Sequence, residues 1–313
     1  MSKTMLTGIA PQAWEHPTDR AALNSLRRVP GLDIAIRTLF GLTTERALRF
    51  YFLGSSVKVT DKQFPRVMNI SREVNNLFGV EKAPEIFVTQ SPSFNAAATG
   101  YHNPFILINS SLLDAFSDEE LACVYAHELG HILSGHVLYK TILAILIRLS
   151  IFTFSIPLSG TAILALIIAL REWDRKSELS SDRAGLLAVQ DVTVSQKTLM
   201  KLAGGRNIEQ MDLDEFRKQA KEYAESNDII DQVIKFLNMF EQRHPFAVLR
   251  VIELEEWAKS EAYQKIISGE FDTAKNMNHL TDIKDVGSIY GSTLKKSFFG
   301  ATKPIANLFG YGE

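Results

Sequence analysis

Two histidines stand four residues apart in His127-Glu128-Leu129-Gly130-His131, with a glutamate directly after the first. On a helix, residues i and i+4 lie one turn apart on one face, so both imidazoles can reach one metal ion. Glu128 sits one residue round that helix, badly placed to ligate and close enough to take a proton from water at the metal. This is the HExxH pattern of zinc peptidases. The pattern is short and needs support from elsewhere in the chain. A catalytic zinc takes three protein ligands and keeps a fourth position open. Glu178, in Ser177-Glu178-Leu179-Ser180-Ser181-Asp182, is the candidate for the third, because Asp182 follows it on the same helical face. That spacing lets Glu178 ligate while Asp182 accepts the outer N–H of a ligating histidine. The same pair also reads as an ordinary solvated acidic face beside Arg175, Lys176 and Arg183. Cys123 shares the ligand stripe and could reach the metal, or it is a small buried hydrophobe. His136, five residues after His131, falls off the stripe and reads as structural or as a partner of a ligand.

These side chains need elements to hold them. Ser117 or Asp118 can cap a helix whose first turn carries Glu119 and Glu120, where acidic groups suit the dipole. That helix carries Leu121, Val124, Tyr125 and Leu129 and contains the two histidines. Upstream, Phe64, Val67, Ile70, Val74 and Leu77 follow a three-to-four spacing, which predicts an amphipathic helix from Thr60 to Phe78, ended by Gly79. Glu85 to Thr89 and Phe105 to Asn109 read as short strands, and Asn95 to Gly100 can pair with the second across the turn-rich Tyr101 to Pro104. Leu32 to Val57 is apolar without alternation and predicts one or two helices. A polar helix carries Glu178 and Asp182. The C-terminal third reads as helices over Asp212 to Glu225, Asp228 to Gln242 and Pro245 to Ser268, followed by a Gly-, Ser- and Lys-rich tail.

The chain has 313 residues, 46% of them apolar and 22% charged, enough for a substantial core. A net charge of −2 gives no sign of nucleic-acid binding. With Cys123 the only cysteine, no intrachain disulfide can form and a reducing compartment is the easier reading. The first residues lack the apolar core of a signal peptide, and the expected location is cytoplasmic.

Val137 to Leu170 is the most apolar part, 34 residues interrupted by Lys140 and Arg148 and punctuated by Pro157 and Gly160. One membrane crossing needs about 20 apolar residues, and two with a turn need more than ~40. A single crossing would put His131 and Glu178 on opposite sides of a bilayer, where they could not share zinc. What remains is a hairpin turning near Pro157 to Gly160, with arms of about 15 residues reaching about 22 Å. Such a hairpin inserts partly from one face, or lies buried in protein against the Leu32 to Val57 helices.

Four motifs occur in a telling order: Phe94 to Gly100 (FNAAATG), HELGH behind Ser117-Asp118-Glu119-Glu120-Leu121, Ser177 to Gly185 (SELSSDRAG) after the apolar segment, and Arg243 to Arg250 (RHPFAVLR). Together they resemble the HtpX and CAAX-prenyl-protease family of membrane-associated zinc endopeptidases, of gluzincin type, from about Phe64 to Leu254. The resemblance implies one zinc ion per chain, held by His127, His131 and Glu178, with Glu128 as catalytic base. It also implies that Asn95 and Ala96 lie by a substrate edge strand and that His244 faces the cleft. Leu179 stands where the family usually has an aromatic residue. The expected fold is α+β and mainly helical, a zincin-like metallopeptidase core with a small sheet and an apolar helical hairpin insertion. Its expected divisions are an N-terminal helical arm (1–59), the peptidase domain (60–270, hairpin 137–170) and a tail (271–313). The expected function is hydrolysis of peptide bonds in polypeptide substrates, misfolded or membrane-associated proteins among them, on the cytoplasmic side of a membrane reached through 137–170. A non-catalytic membrane adaptor or chaperone-like scaffold and a small-molecule zinc hydrolase are the rival readings.

Overall fold

The computed structural model describes residues 3–29, 31–32, 45–149, 160–225 and 247–273. Along the chain these form helix α1 (Pro17–Leu26), helix α2 (Glu45–Ser55), the two-residue strand β1 (Val57–Lys58), helix α3 (Pro65–Phe78), strands β2 (Glu85–Thr89), β3 (Ala96–Thr99) and β4 (Phe105–Asn109), and helices α4 (Ser110–Ala115), α5 (Asp118–Leu133), α6 (Val137–Leu149), α7 (Gly160–Val189), α8 (Val192–Gly204), α9 (Leu213–Glu225), α10 (Ala247–Lys259) and α11 (Glu261–Ile267). Mainly helical with one small sheet, this is the α+β class expected. The predicted helix over Asp228 to Gln242, residues Pro245 and Phe246, the turn at Pro157 and the tail from 274 lie outside the described residues.

The sheet runs β1-β2-β4-β3, mixed in direction. β2 lies parallel to β4, and β3 lies antiparallel to β4 with Ala96 opposite Ile108 and Thr99 opposite Phe105. Among the described residues β3 is therefore an edge strand. Strands β2 and β4 have the bounds their sequence pattern predicts, and β3 pairs as expected. β1 was not foreseen, because two residues are too few to show alternation. α3 starts at Pro65 rather than Thr60: Phe64 takes a left-handed φ of 54° and the proline opens the helix. It ends at Gly79, whose φ of 70° is the left-handed conformation that glycine adopts without penalty.

One face of the sheet and α3 bury Val67, Ile70, Val74, Ile86, Ile106 and Ile108 against α5. Leu6, Ile9 and Trp14 join the same core, and Ile9 bridges to Thr273, so the start of the chain is built into the main body. A second core gathers Leu26 of α1 with Tyr139, Ile142 and Leu146 of α6 and Leu166, Leu170 and Trp173 of α7.

The apolar segment does supply two antiparallel arms, but the second is no separate element. α7 is one helix of 30 residues that begins apolar at Gly160 and runs on through Glu178 and Asp182. The change in composition at Arg171 carries no glycine or proline, so nothing stops the backbone ladder there. α5 and α6 meet at a bend of 98°, and among the described residues no single helix is long and apolar enough to cross a membrane.

α5 and α7 approach closely. A Cβ added to Gly130 would lie 2.7 Å from the Ala184 Cβ, and one on Gly185 would lie 3.0 Å from the Cys123 carbonyl oxygen. Gly130→Ala should therefore force these helices apart and destabilise the fold by about 1–3 kcal/mol, read by urea denaturation. Full wild-type stability would show that the contact yields.

Candidate metal centre

The N-terminus of α5 is fixed by a reciprocal cap: the Ser117 hydroxyl accepts from the Glu120 N–H at 3.2 Å, and the Glu120 carboxylate accepts from the Ser117 N–H at 2.8 Å. Two turns on, His127 and His131 face α7, with ring centroids 4.9 Å apart. α7 presents Glu178 and Asp182 one turn apart on the opposing face. Nε2 of His131 lies 3.2 Å from Glu178 Oε1, and Nε2 of His127 lies 3.5 Å from Oε2. All three side chains are buried, and one ligand atom from each lies within 4.8 Å of the others.

The outer faces of the imidazoles are also held. Nδ1 of His127 lies 3.0 Å from Asp182 Oδ1, so Nδ1 donates to that carboxylate and Nε2 is the nitrogen turned toward Glu178. Asp182 is gripped by Arg250 of α10, which donates to both carboxylate oxygens at 2.7 and 2.5 Å. His131 Nδ1 lies 2.8 Å from the Ser181 hydroxyl and 3.1 Å from His136 Nδ1. Its Nε2 is buried and has no hydrogen-bond partner among the described residues. A buried nitrogen left this way is costly unless a ligand meets it. Two imidazoles and a carboxylate converging there are the donor set of a catalytic zinc.

Buried charge needs balance. Lys140 of α6 donates to Glu178 Oε1 and to Asp174, each at 2.7 Å, and Arg250 lies 3.3 Å from Glu178 Oε2. Burial works against the Lys140 ammonium, yet the two carboxylates raise its pKa above the ordinary lysine range. Burial likewise opposes charge on His127, and Asp182 and Glu178 overcome it, holding the imidazole at about 9 without metal. Incoming zinc must displace that proton. Burial, seconded by the Lys140 charge, takes His131 the other way, well below the ordinary value.

Glu128 is 2% exposed and points away from α7 toward the sheet, where its Oε2 accepts the Ala98 backbone N–H of β3 at 2.7 Å. Asn95 and Ala96 line a cavity with His127, Glu128, Leu199 and Leu254. Cys123 opens on the same cavity, but it is not among the converging donors; its Sγ lies 3.8 Å from the Ser195 hydroxyl, and burial pushes its thiol up to about 12. Glu178 and Asp182 are buried, which removes the solvated-face reading. His136 lies against Nδ1 of His131, beside the converging donors. His244 lies outside the described residues. Arg250 and Lys140 escaped the sequence reading. Arg250 closes the RHPFAVLR motif, and Lys140 is a lone charge near the start of an apolar run; both were signals that something buried awaited them.

An HExxH helix crossed by an ExxxD helix, with donors converging between them, defines a zinc metallopeptidase. The chain matches the profile of peptidase family M48 over residues 61–258 and belongs to that family. It is 34% identical over 260 residues, 81% of this chain and 74% of the relative, to the plastoglobule-localized metallopeptidase 48, chloroplastic, of Arabidopsis thaliana. Shorter likenesses join it to a protease HtpX homolog of Dictyoglomus turgidum (33% over 92 residues, 29% of this chain and 30% of the relative) and to protease HtpX of Shewanella halifaxensis (38% over 64 residues, 20% and 22%). In those two proteins the likeness spans less than a third of the relative. No solved structure gives a significant match. The chain is thus a zinc-dependent protease with polypeptide substrates.

Glu178→Ala should leave the purified protein nearly free of zinc, since two histidines alone hold it weakly. Asp182→Ala should weaken zinc binding by about 10- to 100-fold through the loosened His127. Metal content after dialysis and competition with a chromophoric chelator check both; wild-type zinc in Glu178→Ala would mean that another residue completes the site.

Proposed function

We propose that this chain is an endopeptidase in which Glu128 is the general base and β3 holds the substrate. The observation that carries this reading is the position of Glu128. It is buried one residue from a zinc ligand and bonded to the backbone of the edge strand, so base, ligands and strand form one unit. Bound by His127, His131 and Glu178, zinc supplies polarisation of the scissile carbonyl and acidifies water at the site. Glu128 takes the proton of the attacking water and passes it to the leaving amine. Asp182 and Arg250 keep His127 oriented throughout. Among the described residues β3 has β4 as its sole strand neighbour. On its other edge the Ala98 N–H is held by Glu128, and the stretch beside Asn95 and Ala96 suits an extended polypeptide joined by main-chain hydrogen bonds. The reading gives His244, six residues ahead of Arg250, the task of steadying negative charge on the scissile carbonyl oxygen. A scaffold that only bound proteins would have no need of a carboxylate at Glu128.

The same reading places residues 137–170 at a membrane, entered from the cytoplasmic face, with misfolded or membrane-associated proteins as substrates. α6 begins six residues after His131, and α7 returns without a break to Glu178, so both ends of the hairpin meet at the metal centre and insertion comes from one side only. Toward its start α7 turns Leu164 outward, 54% exposed, while Leu166 and Leu170 pack on α1 and α6.

Glu128→Gln should keep fold and zinc and lose casein hydrolysis by at least about a hundredfold, because an amide cannot accept the water proton. Activity within a few-fold of wild type would remove Glu128 from that role. Leu164→Glu should reduce co-sedimentation with phospholipid vesicles several-fold at unchanged zinc content; equal partition of variant and wild type would take the hairpin off the membrane.

A further inference from the structure

Behind His131 lies a chain of buried groups that reaches the N-terminal helix. α5 ends at Leu133, and Gly135, at φ 71°, turns the backbone so that His136 comes back over the last helical turn. There His136 Nδ1 lies 3.1 Å from His131 Nδ1, and His136 Nε2 lies 3.0 Å from Asp19 Oδ2. Asp19 stands in the first turn of α1. Its Oδ2 also accepts from the Ser180 hydroxyl at 2.6 Å, and its Oδ1 accepts from the Trp173 indole N–H at 3.1 Å. Asp19 and His136 are each 1% exposed and His131 is fully buried. Burial alone would push the Asp19 carboxyl up; the hydrogen bonds from His136, Ser180 and Trp173 outweigh it and hold Asp19 below the ordinary range, hence ionised.

We propose that Asp19 is a positioning residue for zinc: acting through His136, it dictates which nitrogen of His131 carries the proton. An ionised carboxylate can only accept, so His136 must hold its proton on Nε2. Beside a His131 that ligates through Nε2 and donates from Nδ1, His136 holds this single proton, which leaves a lone pair on His136 Nδ1. That lone pair faces His131 Nδ1, which must therefore be the protonated nitrogen. The His131 lone pair is then on Nε2, aimed between His127 and Glu178. Ser181, the other partner of His131 Nδ1, cannot make this choice, because a hydroxyl gives or takes equally well. Asp182 performs the task for His127 in one step; Asp19 performs it for His131 in two. The inference rests on the zinc assignment of His131 and not on the base role of Glu128.

The substitution that tests it is Asp19→Asn. The Trp173 N–H can only donate, so it keeps the amide oxygen at the Oδ1 position and turns the NH2 toward His136. His136 Nε2 must then accept, its proton moves to Nδ1, and His131 is driven to hold its own proton on Nε2, where zinc needs the lone pair. The zinc affinity of Asp19→Asn, by chelator competition, should fall about 10- to 100-fold. In a His136→Phe background the same substitution should change affinity by less than about threefold, because the link is gone. A merely structural Asp19 would give the same loss in both backgrounds, and that result would overturn the proposal, as would an Asp19→Asn affinity within about threefold of wild type. If Asp19→Asn does not fold, the zinc-loaded wild type decides alone. Its ¹⁵N-histidine spectrum should show His136 protonated on Nε2 and His131 on Nδ1, and a His136 protonated on Nδ1 would overturn the assignment.

Discussion

Two helices must bring three ligand atoms within 4.8 Å of one another, and side chains can do this only if the backbones come unusually close. Gly130 and Gly185 permit it, each at a place where a Cβ would press on the facing helix. The distances at the site follow from that contact. His127 and His131 are fixed by their i, i+4 relation on α5, Glu178 and Asp182 by the same relation on α7, and the crossing sets one pair against the other. The remaining elements serve largely to hold the crossing: α10 brings Arg250 to Asp182, α6 brings Lys140 to Glu178, and α1 brings Asp19 to His136. Each buried carboxylate is thus met by a cation or a set of donors, which is what allows so much charge to remain out of water.

The sheet contributes from the other side. Its small residues at Ala96 and Ala98 let β3 lie against α5, so that Glu128 reaches a backbone N–H. The glutamate is thereby restrained by a neutral backbone donor.

Much of this was legible in the chain because it is local. The Ser117 cap, the two strand bounds, the Gly79 stop and the two i, i+4 pairs depend on neighbours within a turn or a pleat, and periodicity reports such relations faithfully. What escaped depends on tertiary contact. β1 exists because β2 offers it an edge. The continuity of α7 was hidden by a change from apolar to polar at Arg171, which marks a change of surroundings and not of backbone. Periodicity says nothing of Arg250, Lys140 and Asp19; each acquires its role from a helix distant in sequence. Asn95 and Ala96 drew their roles from family resemblance alone, and they line one cavity with His127 and Glu128; His244 rests on resemblance still.

The unbroken length of α7 has a mechanical consequence. From Leu164 to Glu178 the helix measures about 21 Å, and a rod of that length tilted by ~5° moves its far end by about 2 Å. Zinc–ligand distances tolerate only about 0.2 Å. The helix is therefore a lever with a candidate zinc ligand at its far end. A force on the apolar end would be felt as a change in how tightly the metal is gripped.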